Sequence, residues 1–312
     1  MTYEDIIHGD CLEVMADMPD NSVNCCVTSP PYWGLRDYGH DGQIGLEQTP
    51  EEYVAKMVDV FREVRRVLRT DGNCYINLGD SYASGGTKTT GRNDAGRRSV
   101  NGFTGSNGYD DAGGRTASGK TPNLKPKDLV GVPWRVAFAL QADGWWLRQD
   151  IIWHKPNPMP ESVKDRCTKS HEYMFHMTKS ARYWYDAEAV KEALQTPPHA
   201  PGNKKLDASR NDHDQMQKVW GEDGTRNRRS VWTVATKPYG GAHFATFPPK
   251  LIEPCILAGC PRGGVVLDPF AGSGTTLAVA LQHGRQAIGI ELNAEYIRLI
   301  EKRLECIQVE LI

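Results

Sequence analysis

Two short stretches hold residues whose types and spacing could do chemistry. The first, VVLDPFAGSGTT at 265–276, puts Gly272 and Gly274 at a strand-to-helix turn, where missing side chains let the backbone approach a ligand at a helix amino terminus. Glu291 ends the next strand, 17 residues after Gly274, the place of a ribose-binding acid in a nucleotide-binding βαβ unit. Together they suggest a nucleoside cofactor, against the plain alternative of a tight βα connection. A phosphate-cradling loop is a further alternative, but no Lys follows the glycine in GSGTT, and Asp268 in the turn would repel a pyrophosphate. A cofactor that is cationic at sulfur and carries no phosphate fits better. Asp10 ends a strand much as Glu291 does, although on spacing alone an aspartate capping a helix at 11–17 is the better account of it.

The second stretch, TSPPYW at 28–33, follows an apolar strand at 23–28. Ser29, Pro30, Pro31 and Tyr32 therefore sit at the carboxyl edge of a strand, where open α/β sheets bind ligands. Two consecutive prolines fix the backbone and push the residue before each out of the helical region, giving a rigid, aromatic-tipped loop. Such a loop suits an exocyclic amine, a poor nucleophile because its lone pair is delocalised into the ring. A hydroxyl and a backbone carbonyl that accept its two protons steer the nitrogen toward tetrahedral geometry and aim the lone pair at a sulfonium methyl. Tyr32 would stack on a base extruded from a duplex. A proline-stiffened surface turn is the bland alternative, and it is less common directly after a buried strand.

The elements around these stretches alternate. Strands are expected at 5–10, 23–28 and 73–78, with a helix at 50–69 between the last two, ended by Asp71-Gly72. A helix at 126–141 and a strand at 145–154 follow, then strand 264–268, helix 275–284, strand 286–291 and helix 294–306. Strand and helix in alternation imply a parallel sheet. Residues 84–122 carry ten glycines and Lys88, Arg92, Arg97, Arg98, Arg115 and Lys120 against three aspartates, the composition of a flexible insertion. A second polar, basic stretch covers about 195–230, with Arg226, Arg228 and Arg229. Both are expected to border one DNA-facing surface, with a plain solvated loop as the alternative for the first.

At 312 residues, with 39% hydrophobic and 24% charged residues, the chain is long enough for one large domain with an elaboration. Its net charge of −2 excludes a uniformly basic nucleic-acid coat, so any contact with DNA must be local. Eight cysteines without a C-x-x-C pair favour reduced thiols in a cytosol. No basic region precedes an apolar run at the start, and no apolar segment approaches the roughly 20 residues of a membrane span. His171 and His176 in HEYMFH are five apart, about 140° around a helix and on opposite faces of a strand, so no metal is expected.

TSPPYW, IIWHKPNP at 151–158, HFATFPPKLIEP at 243–254 and DPFAGSGTT followed by GIEL occur in the order of the bacterial DNA amino-methyltransferases of the beta class. The chain resembles that family over nearly its whole length, except about 84–122 and 195–228. The resemblance implies a Rossmann-like, seven-stranded, S-adenosylmethionine-dependent methyltransferase fold with a DNA-recognition insertion. The catalytic domain would comprise 1–83, 123–190 and 241–312, with a target-recognition region at 191–240. Asp10, Phe244, Thr246, Asp268, Phe270, Gly272, Gly274 and Glu291 would hold S-adenosylmethionine. Trp33 and Trp153 would lie near the base, although a buried Trp on a strand explains Trp153 equally well. The implied setting is the cytoplasm of a bacterium or a phage host, acting on double-stranded DNA as a monomer or homodimer, with a cognate restriction endonuclease encoded nearby.

Ring-carbon methylation of cytosine would need a Pro-Cys nucleophile on the loop, and Pro254-Cys255 lies inside an apparent helix instead. Family members that act on cytosine N4 usually open the loop with Ser, as at Ser29, and those that act on adenine N6 usually open it with Asp. The expected product is therefore N4-methylcytosine, with N6-methyladenine as the alternative and RNA or protein as more remote substrates. A non-catalytic DNA-binding homologue would be expected to carry damaged loops, and both are intact.

Overall fold

The computed structural model describes residues 4–34, 42–83, 123–193, 224–236, 247–305 and 307. Helices flank both faces of an eight-stranded sheet. In chain order the described elements are β1 (Glu4–His8), α1 (Cys11–Ala16), β2 (Val23–Thr28), α2 (Pro50–Val67), β3 (Leu68–Leu78), α3 (Val132–Ala142), β4 (Trp146–His154) and β5 (His171–Thr178). The short strands β6 (Glu192–Ala193), β7 (Thr225–Arg226) and β8 (Val231–Thr233) follow, then α4 (Pro249–Gly259), β9 (Val265–Asp268), α5 (Thr275–Gln282), β10 (Gln286–Glu291) and α6 (Ala294–Glu305).

The sheet order is β1-β10-β9-β2-β3-β5-β4-β8, parallel from β1 to β3, with β5 running antiparallel between β3 and β4. The resemblance implied seven strands, of which the sequence pattern placed six; β5 was not placed, and an eighth strand, β8, pairs parallel to β4 with Trp232 opposite Trp153. Its three residues are too few to carry a periodic signal. A separate two-stranded pair joins β6 to β7, Glu192 opposite Arg226.

Parallel strands covered on both faces read as continuous apolar runs. In β2, Cys26 belongs to the core shared with α1, α2 and α3, whereas Cys25 and Val27 face the core shared with α4, α5 and α6. α2 starts where Thr49 accepts a hydrogen bond from the Glu52 amide while Glu52 reaches back to the Thr49 amide, with Pro50 in the first turn. Tyr53, Met57, Val60, Phe61 and Val64 then recur at helical spacing and are fully buried.

Asp71-Gly72 does not end that helix. α2 stops at Val67, and β3 begins at once, absorbing 69–72 where its register against β2 jumps from Val23↔Leu68 to Cys25↔Asn73. Gly72 lies close under Asn24 O there, so it marks a bulge in a strand instead of a helix end. The helix expected from 126 starts at Val132, with Pro133 in its first turn, after left-handed Gly131. All seven described cysteines are free thiols, and six of them are buried. Among the described residues no helix is long and apolar enough to cross a membrane.

The reciprocal cap predicts that Thr49→Ala will lower stability by about 1 kcal/mol, readable as a lower midpoint in urea at an unchanged m-value.

Candidate active site

The order of strands reverses between β9 and β2, neighbours at the centre of the sheet paired at Cys26↔Leu267. Ligands bind at the carboxyl ends of strands at such a switch point. The glycine turn leaves β9 there and TSPPYW leaves β2, so the two stretches singled out by sequence stand side by side.

Asp268 sits beneath both. It is 2% exposed, and its carboxylate accepts hydrogen bonds from Thr28 Oγ1 at 2.7 Å, Thr276 Oγ1 at 2.6 Å and the Phe270 amide at 3.1 Å. Burial outweighs these bonds and pushes its pKa up to about 6. The turn that follows is closed by Glu291, which accepts the Gly272 amide at 2.8 Å with one oxygen and the Asn293 amide at 2.8 Å with the other. Burial raises the Glu291 pKa as well. Gly274 is left-handed at φ 74, and a Cβ there would stand 2.8 Å from Ile300 Cγ2, so the position admits only glycine without strain. Arg303 braces the turn through Ser273 O at 2.7 Å and Thr275 Oγ1 at 2.7 Å.

Asp10 follows β1 by two residues and lies beside Glu291, since His8 pairs with Glu291 and the Gly9 amide donates to Glu291 O. Its Oδ1 caps α1 by accepting the Leu12 and Glu13 amides, the account that spacing favoured. Three carboxylates, Asp10, Asp268 and Glu291, thus crowd the ends of three adjacent strands. A set of carboxylates around a lysine-free glycine turn suits a cationic ligand and repels a phosphate.

On the other loop, Ser29 Oγ lies 3.5 Å from Asn77 Oδ1, and the Tyr32 hydroxyl lies 2.9 Å from Glu172 Oε2 and 3.2 Å from Asn77 Oδ1. Tyr53 on α2 donates to Pro31 O at 2.9 Å. Lys155, from the IIWHKPNP block, reaches Glu172 Oε1 at 2.5 Å. Asn77, Glu172 and Lys155 were not read from the sequence. Only the placement of β5 between β3 and β4 brings them together, and no strand's pattern discloses its neighbours.

Several expected contacts are corrected. Trp33 is 1% exposed and packs in the core with its indole donating to Glu47 O, so it does not present a ring to DNA. Trp153 is buried with Nε1 donating to Val234 O at 2.8 Å, the strand-core account. Arg226 and Arg229 both bind Glu192, and the Arg228 guanidinium lies 4.7 Å over the Trp232 ring. Arg228 also lines a cleft with Gln149 and His176, in the amino-terminal half of β4. Arg97, Arg98, Phe244 and Thr246 lie outside the described residues.

Among known proteins, residues 23–302 match the DNA methylase family of N6 and N4 type. The type II methyltransferase M.Cfr9I of Citrobacter freundii is 48% identical over 301 residues, 96% of this chain and 87% of that protein. M.SmaI of Serratia marcescens is 46% identical over 300 residues, covering 96% and 90%. In fold, the PvuII DNA methyltransferase (cytosine-N4-specific) aligns with a TM-score of 0.63 at 18% identity over 100% of this chain and 89% of that one. TTHA0409 of Thermus thermophilus, solved with S-adenosyl-L-methionine, aligns at 0.59 and 24% identity over 96% and 93%. With the family match spanning both loops and the sheet between them, the chain belongs to the N6/N4 DNA methylases.

Proposed function

We propose that the protein transfers the methyl group of S-adenosylmethionine to N4 of a cytosine flipped out of double-stranded DNA. The observation that carries this reading is the placement of Ser29, which opens a proline-stiffened loop one strand away from an acidic, lysine-free glycine turn. When bound, the cofactor supplies a methyl group on a positively charged sulfur. Asp268, Glu291, Phe270, Gly272, Gly274 and Asp10 suit its nucleoside part, and Phe244 and Thr246 are assigned to its methionine end.

Ser29 Oγ accepts one hydrogen of the target amine and the Pro30 carbonyl accepts the other, which frees the nitrogen lone pair from its ring. Tyr32 stacks on the extruded base. Serine at 29 favours cytosine, and a solved protein of the same fold carries the name cytosine-N4-specific. Relatives named type II methyltransferases support a bacterial restriction-modification setting, with a cognate endonuclease as partner. Residues 191–240 are assigned to target recognition, and Arg97 and Arg98 to the DNA backbone.

Nucleoside mass spectrometry on DNA from expressing cells is expected to reveal N4-methylcytosine, and methyladenine as the sole modified base would overturn the choice of base. Ser29→Ala should cut turnover by about tenfold to a thousandfold with cofactor affinity nearly intact, as for an interaction that strengthens in the transition state. In calorimetry, Glu291→Ala should weaken S-adenosylmethionine by about tenfold or more through lost charge-assisted bonds. Asp268 gains a proton as pH falls through about 6, removing a negative charge beside a cationic ligand. Cofactor affinity should therefore fall as pH drops from about 7.5 to about 5, across that value, and Asp268→Asn should flatten the dependence.

A further inference from the structure

The aromatic side chain of the catalytic loop is gripped at three points. Behind it, the Pro31 carbonyl is held by Tyr53, which is fully buried in α2. Beneath it, the ring lies against the backbone of Gly79, where a Cβ would stand 2.6 Å from Tyr32 Cε2, so no other residue fits under the ring as it stands. At its tip, the hydroxyl meets Glu172 Oε2 at 2.9 Å and Asn77 Oδ1 at 3.2 Å.

A phenol has one proton to give, and a carboxylate is the stronger acceptor, so Tyr32 donates to Glu172. Glu172 is 7% exposed, and its other oxygen takes Lys155 Nζ, which itself lies 4.2 Å over the Trp153 ring. Asn77 Nδ2 donates to Tyr173 O at 3.0 Å and approaches Glu172 at 3.4 Å, which turns the amide oxygen toward the loop. Met174, next on the same face of β5, is fully buried and apolar. A buried ion pair contributes little to stability compared with apolar residues of its size, so its presence beside the loop points to positioning.

We propose that Glu172 is a positioning residue for methyl transfer: its hydrogen bond to the Tyr32 hydroxyl, with Lys155 balancing its charge, holds the ring as a preformed platform for the flipped base. The proposal rests on the reading of TSPPYW as the catalytic loop. A ring already immobilised loses no rotamer freedom when the base arrives, so the effect falls on capture of DNA more than on the chemical step.

The test is a double-mutant cycle on the full chain, with labelled S-adenosylmethionine and PCR-amplified, hence unmethylated, bacterial DNA. In otherwise wild-type protein, E172A is expected to raise KM for DNA about tenfold and to change kcat by less than about threefold. In the Y32F background the same substitution is expected to change KM by less than about twofold, and E172Q, which keeps an acceptor oxygen, to recover most of the loss. Equal losses in the two backgrounds, or a loss in kcat alone, would overturn the proposal. Should E172A fail to fold, the comparison is made with E172Q, expected to raise KM about threefold only where the Tyr32 hydroxyl is present. S29A, assayed alongside, separates the two readings. Lost turnover in S29A with uncoupled Glu172 effects overturns the role of Glu172 alone, whereas full turnover in S29A overturns both.

Discussion

Asp268 ties together two loops that lie 240 residues apart in the chain, accepting Thr28 from the end of β2 and Thr276 and the Phe270 amide from the turn after β9. A carboxylate taken out of water costs several kcal/mol, by order of magnitude, unless donors replace the lost hydration. These three donors do so only when both loops are in place, so the glycine turn and the proline loop are positioned as one unit. A further bond of the turn, from Gly272 to Glu291, extends the same unit to β10, and the Gly9 amide extends it to β1. Every catalytic expectation drawn from the two stretches depends on this shared anchoring. The chain order of the loops then has no bearing on the chemistry, because adjacency of β2 with β9 is all that the contact requires.

Most of the sheet was legible because its strands are short apolar runs bounded by glycine, proline or acids. β2 and β10 lie where the pattern put them, and the remaining expected strands differ by one or two residues at an end, apart from β3. The failure there has a physical cause. Asp-Gly reads as a stop in isolation, but Gly72 supplies close approach beside Asn24, and the strand runs through it. Capping by Asp10 was also readable, since a local hydrogen bond depends only on local spacing. Cross-strand partners are another matter. Asn77, Glu172 and Lys155 meet because β5 runs antiparallel between β3 and β4, an arrangement that no period-two pattern encodes. Burial of Trp33 escaped notice for a related reason, since an aromatic next to a functional loop suggests a surface until its indole is seen bonded to Glu47 O.

The polar network at the loop and the core of the sheet share residues in a way that blurs fold and function. Trp153 closes the apolar face under α4, yet its ring also carries Lys155, and its indole fixes the Val234 carbonyl just beyond β8. Packing at the edge strand therefore sets where a charged group stands near the proposed base pocket.

The antiparallel pair of β6 with β7 brackets residues 194–224, with Glu192 clasping Arg226 and Arg229 across the base. A segment whose two ends are clasped can lengthen or shorten without disturbing the sheet, because each doubling of a closed loop adds only about 0.6 kcal/mol of entropy cost. Insertion or deletion between 194 and 224 therefore leaves the register of β6 with β7 to be fixed by the residues at 192 and 226.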